Sequence, residues 1–167
     1  MIHCDAASLS SVNLLKVILK DYGLSPRLEP FDNYLQAEEQ NAVLLIGNPG
    51  IEFLKRHHEH QILDLGQAWK DLTGLPFVFA VWAIRRDQSN SELRQMLMKA
   101  KEKGTGKLTD IIKNHSDFDF ELRDLYLRKY IRFELTNPEK KGILEFVRRL
   151  REVVGEPIFI PNYVSAN

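Results

Sequence analysis

The feature that most limits how this chain can fold is the run Ile62–Arg86, ILDLGQAWKDLTGLPFVFAVWAIRR. Asp64 is placed to cap a short helix, Gln67 three positions later completes a capping-box-like pair, and Leu65, Trp69 and Leu72 fall on one helical face. Gly74 ends that helix and Pro76 forbids its resumption. Phe77 to Ile84 is then apolar and rich in Phe, Val and Trp, the pattern of a strand buried on both faces. Trp69, Phe77, Phe79 and Trp82 read as core packing rather than as a cofactor box. Arg85 and Arg86 turn abruptly polar where the strand leaves the core, so its end is expected at a surface or at a crossing between lobes.

Upstream, short apolar runs alternate with helical patterns, which predicts an α/β fold with a parallel-type sheet. Ile2 to Cys4 is a strand candidate, followed by a small, hydroxyl-rich turn over Asp5 to Ser11. Leu14, Leu15, Ile18, Leu19 and Tyr22 keep helical spacing, with Ser10 or Ser11 as expected N-cap and Gly23 as the stop. Arg27 to Glu29 predicts a short strand, Asp32 to Glu39 a polar helical turn, and Ala42 to Ile46 a buried strand broken by Gly47-Asn48-Pro49-Gly50. Ile51 to His57 suits a helix and Gln61 to Leu63 a short strand.

After Arg86 helices dominate. Ser89 with Glu92 forms a capping box ahead of an apolar stripe at Leu93, Met96, Leu97 and Ala100 that ends before Gly104. Lys107 to Asn114, Phe118 to Tyr130 and Pro138 to Val154 follow, the last stopped by Gly155 and burying Ile143, Phe146, Val147 and Leu150. These shifts divide the chain into an α/β part over 1–86, a helical part over 87–155 and a tail over 156–167.

With 167 residues, 44% of them hydrophobic, the chain can build one core with an appended helical layer. Its 23 basic and 23 acidic residues cancel, which removes the general electrostatic reason to expect nucleic acid or an anionic membrane as partner. No apolar run approaches the roughly 20 residues needed to span a bilayer, and Met1 to Ser10 has no basic or long apolar leader pattern, so the expected location is cytoplasmic. A single cysteine, Cys4, excludes an internal disulfide and a Cys-rich zinc site, and reads as a small core residue.

Three clusters offer chemistry. Ser8, Ser10 and Ser11 sit where a strand hands over to a helix, and free N–H groups, the helix dipole and hydroxyls there suit a carboxylate or phosphate; the simpler alternative is a helix cap. Gly47-Asn48-Pro49-Gly50 follows an apolar strand, at the end where open α/β sheets bind ligands, although the same residues serve a plain turn. His57, His58 and His60 with Glu59 are a conceivable metal set, but no second cluster completes a coordination shell, so a solvated loop is expected, with no metal and no cofactor.

The run Asp64-Leu65-Gly66, Trp69 and Thr73 through Ala83 resembles the signature of the chorismate dehydratase family, the first enzymes of the futalosine route to menaquinone. Ser8-Leu9-Ser10-Ser11-Val12 and Ile46-Gly47-Asn48-Pro49-Gly50 are similar to two further family stretches. The resemblance covers roughly residues 1 to 154, within ordinary boundary error. It implies a two-lobed, periplasmic-binding-protein-like fold, of which this chain is the second lobe followed by helices returning to the first. It also implies a lyase that removes water from chorismate to give enolpyruvyl-benzoate, a reaction needing donors for two carboxylates and a base for the ring proton.

By the same resemblance Ser8, Ser10, Ser11 and Asn48 are the expected substrate-binding residues. Leu9 departs from the arginine usual in the family, which would weaken a carboxylate clamp. Asn48 replaces its aspartate, and an amide cannot accept a proton at neutral pH, so the catalytic base is unknown. The related dihydroxynaphthoate synthases carry Ile-His-Glu at that position, so Gly47 and Asn48 argue against the sister activity. The family's segment ahead of the serine motif has no counterpart here. The expectation is a partial member, inactive alone, that holds a small anionic, chorismate-like carboxylate and associates with itself or with a chain supplying the first lobe. The alternatives are a non-catalytic carboxylate-binding module and a structural dimer.

Overall fold

The computed structural model describes residues 1–88, 90–155 and 158–163 of the chain. Its backbone divides into two compact units, Met1–Ala80 with Pro138–Ile160, and Val81–Asn137 with the tail residues 161–163.

The first unit is α/β. Three strands, β1 (Ile2–Asp5), β2 (Leu28–Phe31) and β3 (Val43–Leu44), form a parallel sheet in the order β2-β1-β3. Ile2 aligns with Leu28 and His3 with Val43, which puts β1 at the centre. β2 and β3 are the runs expected at Arg27 to Glu29 and Ala42 to Ile46, shifted or shortened at the ends. Helix α1 (Leu9–Asp21) follows β1 and is closed at Gly23, whose φ of 70° only glycine adopts at little cost. A 3-10 turn at Tyr34–Glu39 leads to β3, and helix α2 (Asn48–Lys55) follows it.

Helix α3 (Leu65–Thr73) is the one foreseen at Asp64. The Asp64 carboxylate accepts the Gln67 amide at 2.7 Å, and Gly74 ends the helix in the left-handed region. The Gln67 side chain instead donates to Asp71, at 2.7 Å, so the reciprocal half of the capping box is not made. Helix α7 (Asn137–Val154) returns from the far end of the chain. Its inner face supplies Leu150 to a buried cluster with Leu14, Val17, Ile18, Ala68 and Trp69, all under 9% exposed. Phe77 and Phe146 pack edge-on to the Trp69 ring at 5.6 and 6.0 Å. Gly142 makes that approach possible, because a Cβ there would collide with the Pro76 carbonyl. A second cluster of Cys4, Leu15 and Leu19 seals α1 to the sheet.

Two expected strands are absent. Gln61–Leu63 and Phe77–Ile84 make no strand pairing, and Phe79, Val81 and Trp82 are 51%, 55% and 66% exposed instead of being core. The composition is that of a central strand, but a strand exists only where neighbouring backbone completes its ladder, and among the described residues none does.

The second unit is helical. Helix α4 (Ser91–Gly106) starts from Asn90, whose side chain accepts the Leu93 amide at 2.8 Å; the expected cap Ser89 lies outside the described residues. The helix runs on through Gly104, past the end that the apolar stripe suggested. Helices α5 (Leu108–Asn114) and α6 (Phe120–Leu125) follow, and α6 passes into a π-helical turn at Tyr126–Tyr130. Ile112 is the one buried hydrophobic residue among those described in this unit.

Candidate functional site

In a parallel sheet every strand leaves at the same edge, and that edge is where ligands bind in open α/β folds. Here the three exits are the serine loop after β1, the Asp32–Asn33 turn after β2 and the Gly47 turn after β3. Topology therefore brings the two sequence-predicted loops, Ser8 to Ser11 and Asn48, to one edge of the sheet. No hydrogen bond joins them among the described residues.

The serine loop differs from expectation in detail. Ser8, not Ser10 or Ser11, is the N-cap of α1: its hydroxyl accepts the Ser11 amide at 3.2 Å and lies 3.1 Å from the Ser11 hydroxyl. Ser11 is 4% exposed, so both hydroxyls are committed to the cap. Ser10 keeps a hydroxyl with no partner among the described residues, and the Leu9 and Ser10 amides at the helix start donate to no acceptor within the helix either. Leu9 is 73% exposed and adds only an apolar surface.

The Gly47 turn is also more than a breaker. Gly47 has φ 64° and ψ −136°, a conformation open essentially to glycine, and acts as the N-cap of α2. Asn48, Pro49 and Gly50 form the first turn of that helix, with Pro49 where a missing N–H costs nothing. The Asn48 side chain is exposed and without a hydrogen bond among the described residues. Two helix N-termini thus open on the same sheet edge, which favours anions there.

Beside this edge is a cavity of about 380 Å³ between the 3-10 turn and α2, lined in part by Asp32, Tyr34, Pro49, Glu52, Phe53 and Arg56. Pro49 is shared with the Asn48 turn. The Tyr34 phenol feels the charge of Asp5, a residue read from the sequence only as the start of a turn. Asp5 ends the central strand, is 2% exposed, and its carboxylate accepts the Ala7 amide at 2.8 Å. Burial holds the Tyr34 phenol above its usual pKa, and the Asp5 charge, a hydrogen bond to it and the Asp32 charge push it further up. The signal available in the sequence was an aspartate closing an apolar strand, since a fully buried acid is rare unless it is bonded.

Of the histidine set, His57 and Glu59 are exposed as expected of a solvated loop, whereas His58 and His60 are partly buried together. His58 stacks on Phe53 at 4.8 Å, and His60 packs against the same ring at 5.4 Å while its Nε2–H donates to the Gln40 carbonyl at 2.7 Å. Among the described residues no group of three potential ligands is arranged to hold a metal ion. Arg85 is engaged by Asp87 at 2.8 and 3.1 Å. No helix among the described residues is long and apolar enough to cross a membrane.

Comparison with known proteins bears on this edge. Residues 1–152 match the family described as menaquinone biosynthesis, a span that includes the serine loop, the Gly47 turn and the α3 run. The chain belongs to that family. It is also 32% identical, over 174 aligned residues, to chorismate dehydratase of Thermus thermophilus, an alignment covering 92% of this chain and 64% of that enzyme. The kinship expected from the Asp64 to Ala83 run is therefore borne out. The chain spans less than two-thirds of the length of that relative.

Proposed function

We propose that this chain is the carboxylate-holding lobe of a two-lobed, binding-protein-like chorismate dehydratase, and that by itself it binds but does not dehydrate. The observation that carries the proposal is the convergence of the Ser8–Ser11 and Gly47–Asn48 helix starts on one edge of the parallel sheet. Free amides and the Ser10 hydroxyl there suit a carboxylate, and the Asn48 amide suits a ligand hydroxyl. Loss of water from chorismate also needs a base at the ring carbon. The exposed candidate at the edge, Asn48, has no basic lone pair, and Asp5 is buried and engaged. The catalytic base would come from outside the edge described.

Incubating the purified chain with chorismate and resolving the mixture by chromatography tests the catalytic half: no enolpyruvyl-benzoate is expected, and clear formation would overturn it. An NMR titration with chorismate tests the binding half, with shifts expected at Leu9, Ser10 and Asn48. Affinity no tighter than about millimolar is expected without a bidentate cation contact. A second reading, a carboxylate-binding module with no catalytic partner, is favoured by Asn48 alone. Restored activity on adding the first-lobe segment of a relative would reject it. Self-association is the further proposal that the exposed Phe79, Val81 and Trp82 support, and a single monomeric mass by light scattering over a wide concentration range would reject that.

A further inference from the structure

The cavity of about 380 Å³ between the 3-10 turn and α2 has no part in the reading above. Its volume is within the roughly 300–1,000 Å³ of small-molecule sites, and its lining combines rings with charges of both signs. Phe53 is 6% exposed and is held by His58, stacked on it at 4.8 Å, and by His60 against its edge at 5.4 Å. His60 is in turn fixed by its bond to the Gln40 carbonyl at 2.7 Å. The Phe53 ring is therefore a preformed apolar surface, and Tyr34 adds a second ring to the lining.

Glu52 and Arg56 line the same cavity one helical turn apart, the acid N-terminal to the base, a spacing at which such a pair ordinarily closes on a helix surface. It does not close here. Helix α2 ends at Lys55 and the Arg56 backbone is extended, at φ −86° and ψ 158°. Neither side chain has a hydrogen bond or an ion pair among the described residues. Asp32 brings a second carboxylate from the turn after β2. An uncommitted guanidinium and an uncommitted carboxylate beside aromatic rings complement a molecule that carries a carboxylate, an ammonium and a ring.

We infer that this cavity binds a free α-amino acid with an aromatic side chain, its carboxylate on Arg56, its ammonium towards Glu52 and Asp32, and its ring against Phe53 and Tyr34. The inference is independent of the carboxylate-holding reading, whose groups are the Leu9 and Ser10 amides, the Ser10 hydroxyl and the Asn48 side chain.

The probe is phenylalanine, titrated into the full chain by NMR, with phenethylamine, which lacks the carboxylate, and phenylacetate, which lacks the ammonium, as matched arms. Phenylalanine should shift the amides of Tyr34, Phe53 and Arg56 and bind about fivefold or more tighter than either arm, the scale of one net hydrogen bond. Arg56→Gln should weaken phenylalanine about fivefold without weakening phenethylamine, and Glu52→Gln should weaken it similarly without weakening phenylacetate. Both side chains are exposed, so spectra away from the cavity should match the native chain. Chorismate shifts at Leu9 and Ser10 should be the same in both variants, so that failure of either reading leaves the other standing. No shifts at about 10 mM phenylalanine, about tenfold above a millimolar dissociation constant, would overturn the inference. So would equal binding of phenylalanine and either arm, or a phenylalanine affinity that either substitution leaves unmoved.

Discussion

The two units of this chain are held by different forces. In the first, residues far apart in sequence meet in a dry interior: Leu14 and Ile18 of α1, Trp69 of α3 and Leu150 of α7 are each below 9% exposed. In the second, Ile112 is the buried hydrophobic residue, while Met96, Phe120, Tyr126, Tyr130 and Phe133 are all 43% exposed or more. Polar side chains do the joining there. Arg123 of α6 donates to the Ile112 carbonyl at 2.8 Å and to that of Phe118, Arg128 reaches Thr109 at 2.8 Å, and Lys101 pairs with Glu134 at 2.6 Å. Hydrogen bonds at wet sites contribute about 1 kcal/mol each, whereas a buried aromatic contributes several. The first unit should accordingly set the chain's stability, and the second should open locally at far lower cost.

The sharpest test of that contrast is Trp69→Ala. Removing a fully buried indole that contacts both Phe77 and Phe146 should cost about 3–5 kcal/mol, read from the denaturant midpoint, with loss of amide protection throughout α1, α3 and α7. Gly142→Ala comes next. Its new methyl must displace the Pro76 backbone, and about 1–3 kcal/mol of destabilisation is expected although a better helix former has been introduced. In the second unit, Arg123→Ala should cost about 1–2 kcal/mol, appearing as faster exchange in α5 and α6 with the main denaturation midpoint unmoved. A midpoint that falls as far as in Trp69→Ala would break the contrast. Ser8→Ala removes the α1 cap and should cost about 1 kcal/mol, whereas Ser10→Ala should leave stability unchanged.

How much of this was legible in the sequence depended on whether the deciding interaction was local. The Asp64 cap and the Gly74 stop were readable because both act within a few residues of backbone. Alternation of strands and helices gave the parallel α/β class for the same reason. The strand expected at Phe77 to Ile84 failed because residue type reports what a strand would bury, while its existence depends on a neighbour far away in sequence. The cap of α1 was misplaced by two or three positions within a run of serines, where only φ/ψ separates Ser8 from Ser10. Ser8, Ser10, Ser11 and Asn48 were named as candidates from their loops and from the family resemblance, and the sheet topology puts their loops at one edge. Asp5 and Tyr34 were missed because their juxtaposition exists only once β2 lies beside β1.

The smallest expected effect concerns the outer face of α7, where the first unit also uses charge. Glu145 accepts from Arg148 at 2.8 Å through both oxygens and from Arg149 at 2.7 Å, and Arg149 reaches across to Asp21 at the end of α1 at 3.1 Å. The Arg148 hydrogen bonds, opposed by burial and aided by Arg149, pull the Glu145 carboxyl from its ordinary 4.5 down to about 2. A carboxyl depressed by folding holds its proton less tightly in the folded chain than in the unfolded one. Its stabilisation is therefore complete above pH 4.5 and is lost as the pH falls from there towards 2. The side chain and Arg149 are about one-quarter exposed and Arg148 more than half, so screening limits the effect to about 0.5–1 kcal/mol. Comparing Glu145→Gln with the native chain in urea should show that difference at pH 6 and have it shrink steadily below pH 4.5. An undiminished difference at pH 2.5 would mean that Glu145 works through packing, and that the first unit relies on its interior alone.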